Sequence, residues 1–224
     1  KLLVIDDSDQ IRWFLKHVFN KEYQILEARN GQDGINVALK EEPDLILCDV
    51  MMPVKDGYET CREIKNDPKM AQTPVVMLTA KVESEDVITG IEAGADDYIT
   101  KPFSVKLVLM RVEAVLRRVK EREGQEATTT LSYGNIRLDR ESHSVSVSGK
   151  SISLTHTEYG LLELFMLHPG RVFTRDNLLN EVWGYDFVGE EKTVNIHIMN
   201  LRRKLDTDLI ETIRGVGYRL GKEN

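Results

Sequence analysis

The chain has 224 residues, 41% hydrophobic and 30% charged, with a formal net charge of −7. That length accommodates two ordinary domains, and the balance is that of a globular protein. The acidic excess argues against a chain coated in nucleic acid or held at a membrane surface along its length, and no apolar stretch reaches the roughly 20 residues needed to span a bilayer. Cys48 and Cys61 offer neither a disulfide framework nor metal-ligand spacing, which fits a reducing, cytoplasmic setting.

Residues 1–119 alternate two periodicities. Short apolar runs at 2–5 (LLVI), 23–28, 44–49, 74–78 and 97–100 read as strands. Between them, 9–20, 32–41, 57–66, 84–93 and 104–119 carry helical spacing, as with Ile11, Leu15 and Val18. Five strand–helix repeats predict a doubly wound α/β fold, a five-stranded parallel sheet with helices on both faces. KEREGQEATTT, 120–130, lacks large apolar residues and predicts a linker. Beyond it, 133–139 and 143–149 alternate as strands, and a further strand runs to Thr155, where Glu158 completes a capping box. Helices are predicted over 159–168, 174–184 and 191–205, and 213–220 closes the chain as a glycine-kinked hairpin strand. Residues 131–224 therefore read as a separate α+β domain.

In an open parallel sheet, functional groups collect at the carboxyl ends of the strands. Those ends hold Asp6 and Asp7 after the first strand, Asp49 after the third, Thr79 after the fourth and Lys101 after the fifth. Three carboxylates at one sheet edge form a hard-oxygen site suited to Mg²⁺. A hydroxyl and an ammonium beside it are what a phosphoryl group needs. A single Asp at a βα junction is commonly a helix cap, and Asp9 is expected to cap the first helix, with Asp7 and Ser8 as competitors.

Residues 121–224 carry 13 Lys+Arg against 16 Asp+Glu, yet 192–204 holds four cations and no acid. On that helix Val194, Ile198, Leu201 and Leu205 form an apolar stripe. Thr193, His197, Asn200 and Lys204 form a second face suited to a major groove. Lys192 and Arg202 on the helix, with Arg214 and Arg219 around the terminal hairpin, add a localised phosphate footprint. An ordinary solvated amphipathic helix has the same composition.

The motifs VIDDSD, LILCDVMMPVKDG, VVMLTA and GADDYITKPF resemble the receiver domain of two-component response regulators, over residues 1–119. The resemblance implies a flavodoxin-like fold and a phosphoacceptor, Asp49, supplied by a sensor histidine kinase. It implies Mg²⁺ held by Asp7, Asp49 and the backbone oxygen of Met51, with Asp6 acting through water. Thr79 and Lys101 would contact the phosphoryl group, Lys101-Pro102 would be cis, and Thr79 with Tyr98 would form the conformational switch. The stretches LTHTEYGLLELFMLHPGRVFTRDNLLNEVWG, KTVNIHIMNLRRKL and IETIRGVGYRL resemble the winged helix-turn-helix effector of the OmpR/PhoB family, over about 131–221. That likeness implies a recognition helix at 191–205, a wing at 214–217 with Arg214 near the minor groove, and core roles for Trp183 and Tyr218.

The same resemblance implies a phosphorylated homodimer formed through the helix at 84–93, the strand at 97–100 and the helix at 104–119. Asp97 with Arg111 and Asp96 with Arg118 are its candidate ion pairs; Val87 and Leu107 occupy the positions of a third. Asn195 stands where the family usually has Asp, and Met199 and Asn200 where Arg is usual, which suggests altered DNA specificity. The expectation is a regulator that catalyses only its own phosphorylation and dephosphorylation, acts on promoter DNA, and has RNA polymerase as a further partner and no membrane. Two alternatives stand beside it. One is a receiver controlling a protein- or RNA-binding module. The other is a phosphatase, because Asp7-Ser8-Asp9 also resembles the DxD motif of haloacid dehalogenases, although the pair Asp96-Asp97 precedes Lys101 rather than following it.

Overall fold

A computed structural model describes residues 1–80, 89–123, 130–184 and 191–221. They fall into two compact units, Lys1–Leu116 and Arg117–Asn224. The first unit contains β1 (Leu2–Ile5), α1 (Asp9–Phe19), β2 (Ile25–Ala28), α2 (Gly31–Glu41), β3 (Leu45–Asp49), α3 (Gly57–Asn66), β4 (Val75–Thr79), β5 (Asp97–Thr100) and the start of α4 (Val105–Glu123), which runs on past Leu116. Its five strands are parallel, in the order β2-β1-β3-β4-β5. Leu3 and Ile5 of β1 enter one core and Leu2 and Val4 the other. A sheet covered on both faces needs apolar residues at both parities of the strand.

Two local expectations change. Ser8, not Asp9, caps α1, its hydroxyl accepting from the Ile11 N–H, while Asp9 is the first helical residue and pairs with Arg12. The predicted linker at 120–130 starts too early: α4 runs on to Glu123, because Lys-Glu-Arg-Glu are all good helix formers with no breaker before Gly124. Residues 89–92 are helical, and the rest of the predicted helix at 84–93, Val87 included, lies almost wholly outside the described residues.

Of the candidate dimer residues, Asp96 is corrected. Asp96 is buried and turned inward, 2.6 Å from the Lys65 ammonium and accepting the Val75 N–H at 2.9 Å. Lys65 also donates to the carbonyls of Thr73 and Ala71. Asp97 meets Arg111 at 3.1 Å within the same chain. The Arg118 side chain lies outside the described residues.

The second unit begins with the antiparallel meander β6 (Thr130–Tyr133), β7 (Ile136–Asp139), β8 (Ser144–Val147) and β9 (Lys150–Ile152). The single strand predicted over 133–139 is broken by a two-residue turn, because Gly134 takes a φ of +57° and Tyr133 pairs with Ile136. Next come α5 (His156–Leu167), β10 (Phe173–Thr174), α6 (Arg175–Trp183), α7 (Lys192–Leu205), β11 (Ile210–Ile213) and β12 (Gly217–Leu220). Strands β10, β12 and β11 form a second, antiparallel sheet. The capping box of Thr155 and Glu158 forms as expected. Helix α5 is apolar almost all round and lies at the centre of the core, with Leu178 and Trp183 of α6, Val194, Ile198, Leu201 and Leu205 of α7, and Tyr218 of β12.

Replacing Asp96 with Ala leaves the Lys65 ammonium and the Val75 N–H buried without their carboxylate. Urea unfolding is expected to show a loss of about 3–5 kcal/mol; a loss below about 1 kcal/mol would contradict the inward placement of Asp96.

Candidate functional site

Strand register assembles the first site. Ile5 pairs with Cys48, so Asp6 follows on beside Asp49; Asp49 pairs with Leu78, which precedes Thr79; and Thr79 pairs with Thr100, which precedes Lys101. All of these residues reach one edge of the sheet. The chain passes from β1 outward to β2 and then back across to β3, so the strand order reverses at Asp6 and Asp49, where open α/β sheets hold their ligands.

Oxygen atoms of Asp6, Asp7 and Asp49 all lie within 4.8 Å of one another. Asp6 and Asp49 are buried and Asp7 is exposed. The Lys101 ammonium sits 2.9 Å from Asp6 Oδ2 and 3.0 Å from Asp49 Oδ1. Burial pushes the Asp49 carboxyl above its ordinary range, with the Asp6 charge adding to it and the Lys101 bond opposing it. Lys101 moves upward too: burial disfavours its charge, but the two carboxylates outweigh that. Three hard oxygen donors on a shared edge can hold a small divalent cation. Thr79 is buried beside them, Tyr98 is half-buried on β5, and the Lys101-Pro102 peptide is cis.

Three supporting residues escaped the sequence reading. Arg12 is buried, and its guanidinium donates to the Asp6 backbone oxygen at 2.6 Å while pairing with Asp9. Its only signal was an Arg three residues beyond an Asp on an otherwise amphipathic helix. At Gly57, the first residue of α3, an added Cβ would overlap the Asp49 carbonyl oxygen and stand 2.8 Å from Val50 Cα. Val54 has a φ of +71°, rare for a β-branched residue. It forms the tight turn, closed by Lys55 N–H to Pro53 oxygen at 2.8 Å, that brings the loop round to Gly57.

The second site lies on α7 and the β11–β12 hairpin. The face assigned to a major groove is corrected: Thr193, His197 and Asn200 are 3%, 1% and 4% exposed. The Val194–Leu205 stripe sets the inward direction of the helix but not which flank is covered. Packing against α5 and α6 covers that one, with His197 against the Trp183 ring at 5.2 Å. Lys204 pairs with Glu158 at 2.7 Å. Arg202 donates to the Ile210 oxygen and Thr212 hydroxyl, fastening α7 to β11. The exposed face is instead Lys192, Asn195, Met199 and Arg203. Asn195 Oδ1 accepts from Arg175 at 2.9 Å and from the Tyr218 hydroxyl at 2.8 Å, tying α6, α7 and β12 together. Arg214 is exposed in the hairpin turn, next to Gly215 with a φ of +73°.

Residues 2–113 match the family described as Response regulator receiver domain, and residues 149–220 match Transcriptional regulatory protein, C terminal. The chain is a member of the two-component response regulators with a DNA-binding effector domain. It is 42% identical over 230 residues to the transcriptional regulatory protein ResD of Bacillus subtilis (strain 168), covering 98% of this chain and 95% of that one. A solved mutant of RitR superposes with a TM-score of 0.81 at 28% identity, covering 99% of each chain. The receiver domain of a signal transduction histidine kinase from Syntrophus aciditrophicus matches 57% of this chain and 97% of its own, at 36% identity and a TM-score of 0.51.

Membership sets the phosphatase alternative aside. In this response regulator the residues of the DxD-like motif are occupied otherwise, Ser8 in capping α1 and Asp9 in holding Arg12. Both cysteines are fully buried, and burial pushes the Cys61 thiol up to about 12, so neither supplies a thiolate near neutral pH.

Gly57→Ala forces the Asp49 carbonyl and α3 apart. A loss of about 1–3 kcal/mol in urea unfolding is expected, whereas Gly34→Ala, whose added Cβ meets the Ile5 side chain first, should leave the Asp49 loop in place. Amide shifts of residues 49–57 in NMR spectra separate the two.

Proposed function

We propose that the receiver accepts a phosphoryl group on Asp49 from a sensor histidine kinase, and that this controls binding of the effector domain to promoter DNA. The observation that carries the reading is the convergence of Asp6, Asp7, Asp49 and Lys101 at the strand-order reversal. Asp6, Asp7 and Asp49, with the Met51 backbone oxygen, would hold Mg²⁺, which supplies charge neutralisation between carboxylates and phosphoryl oxygens. A carboxylate oxygen of Asp49 attacks phosphorus, and the donor nitrogen or acyl oxygen leaves with the bonding electrons. Lys101, already bonded to Asp49, then pairs with the transferred group. The Thr79 hydroxyl donates to it, and Tyr98 turns into the space Thr79 leaves.

On the effector domain, Lys192, Arg203 and Arg214 are the cations we assign to DNA phosphates, replacing the inward Thr193, His197 and Asn200. The phosphorylated chain acts in the cytoplasm as a homodimer and works with RNA polymerase. Asp97 and Arg111, paired within one chain, would form the equivalent contact across the dimer.

Incubation with acetyl phosphate and Mg²⁺ is expected to add one phosphoryl group by intact mass, and none in Asp49→Asn or without Mg²⁺. Release of phosphate without an adduct would overturn the reading. For the effector, Lys192→Ala or Arg214→Ala should weaken binding to all DNA sequences alike and lower the slope of log K against log salt by about 1; an unchanged slope would remove that residue from the interface.

A further inference from the structure

The exposed face of α7 has cations near its two ends and one large apolar side chain between them. Lys192 and Arg203 are eleven positions apart, about 16 Å along the axis, somewhat more than the roughly 12 Å width of a major groove. Met199, 50% exposed, lies one turn from Arg203 and two turns from Lys192. The amide oxygens of the two asparagines of the helix are engaged within the domain. Asn195 Oδ1 holds Arg175 and Tyr218, and buried Asn200 accepts from Arg203 at 3.1 Å. Arg202 is fastened to β11.

We infer that Met199 is a specificity-determining residue of this regulator and that it reads the C5-methyl group of a thymine in the major groove. The inference rests on α7 being the recognition helix. Among the groups that base pairs display in that groove, the thymine methyl is the apolar one. A thioether chain with three rotatable bonds can fit against it without demanding a fixed hydrogen-bond geometry. The phosphate contacts of Lys192 and Arg203 would set the depth and register of the helix, and Met199 would then discriminate by removing the methyl group from water.

The test uses the full chain treated with acetyl phosphate, selection of duplexes from a random pool, and replacement of each selected thymine by uracil, which deletes only the methyl group. Wild type is expected to lose about fourfold in affinity at one position of each half-site, the equivalent of one buried carbon. Met199→Ala should abolish that sensitivity and Met199→Leu should retain it, with melting temperatures unchanged because the side chain is half in solvent. Salt-dependent binding in which no thymine is sensitive, or in which Met199→Ala keeps the sensitivity, overturns the role of Met199 alone. Failure of the wild type to bind any duplex overturns both this role and the recognition-helix reading.

Discussion

The Lys101 ammonium lies between Asp6 and Asp49, about 3 Å from each, and that cation lets acidic side chains share the edge of an otherwise apolar sheet. Two carboxylates buried side by side without it would repel and protonate. With it, the Asp49 carboxyl is raised by burial and held down by the lysine. The rest of the first unit serves this arrangement. The register of four parallel strands brings the groups to one level, Arg12 holds the Asp6 backbone from below, and Gly57 lets α3 approach the Asp49 carbonyl.

The effector domain divides its cations by task. Arg202 and Lys204 fasten α7 to β11 and to the N-terminus of α5, and Arg175 stacks on Tyr218 while holding Asn195. Arg202 approaches the Tyr218 ring as well, at 5.5 Å, so one aromatic side chain organises helix and hairpin together. This network makes the position of α7 relative to the β11–β12 hairpin a property of the domain itself. The charges left exposed, Lys192, Arg203 and Arg214, are fewer than the composition of 192–204 suggests, and this leaves an apolar residue at the middle of the face.

Most of the architecture was legible in the chain. Strands with apolar residues at both parities could only be central strands of a covered parallel sheet, and carboxylates directly after β1 and β3 pointed to the loaded edge. Thr155 and Glu158 marked the start of α5 three residues apart. The misreadings have a common origin. At 120–123 and at Ser8 the choice lay between local alternatives of similar propensity. For Asp96 and the Thr193–Lys204 flank, polar residues were taken as exposed because nothing nearby in the chain covered them.

Periodicity and the positions of charged groups were enough to establish two domains, the loaded sheet edge and the basic helix, because these depend on backbone pairing and on contacts close in sequence. Partnership across long separations was not available from them. Lys65 is 31 residues from Asp96, and Glu158 is 46 from Lys204, and no local pattern says that such side chains meet. Which flank of α7 is buried follows from where Trp183 and α5 pack, and so the division of its polar residues into exposed and fastening ones became visible once the three-dimensional packing was known.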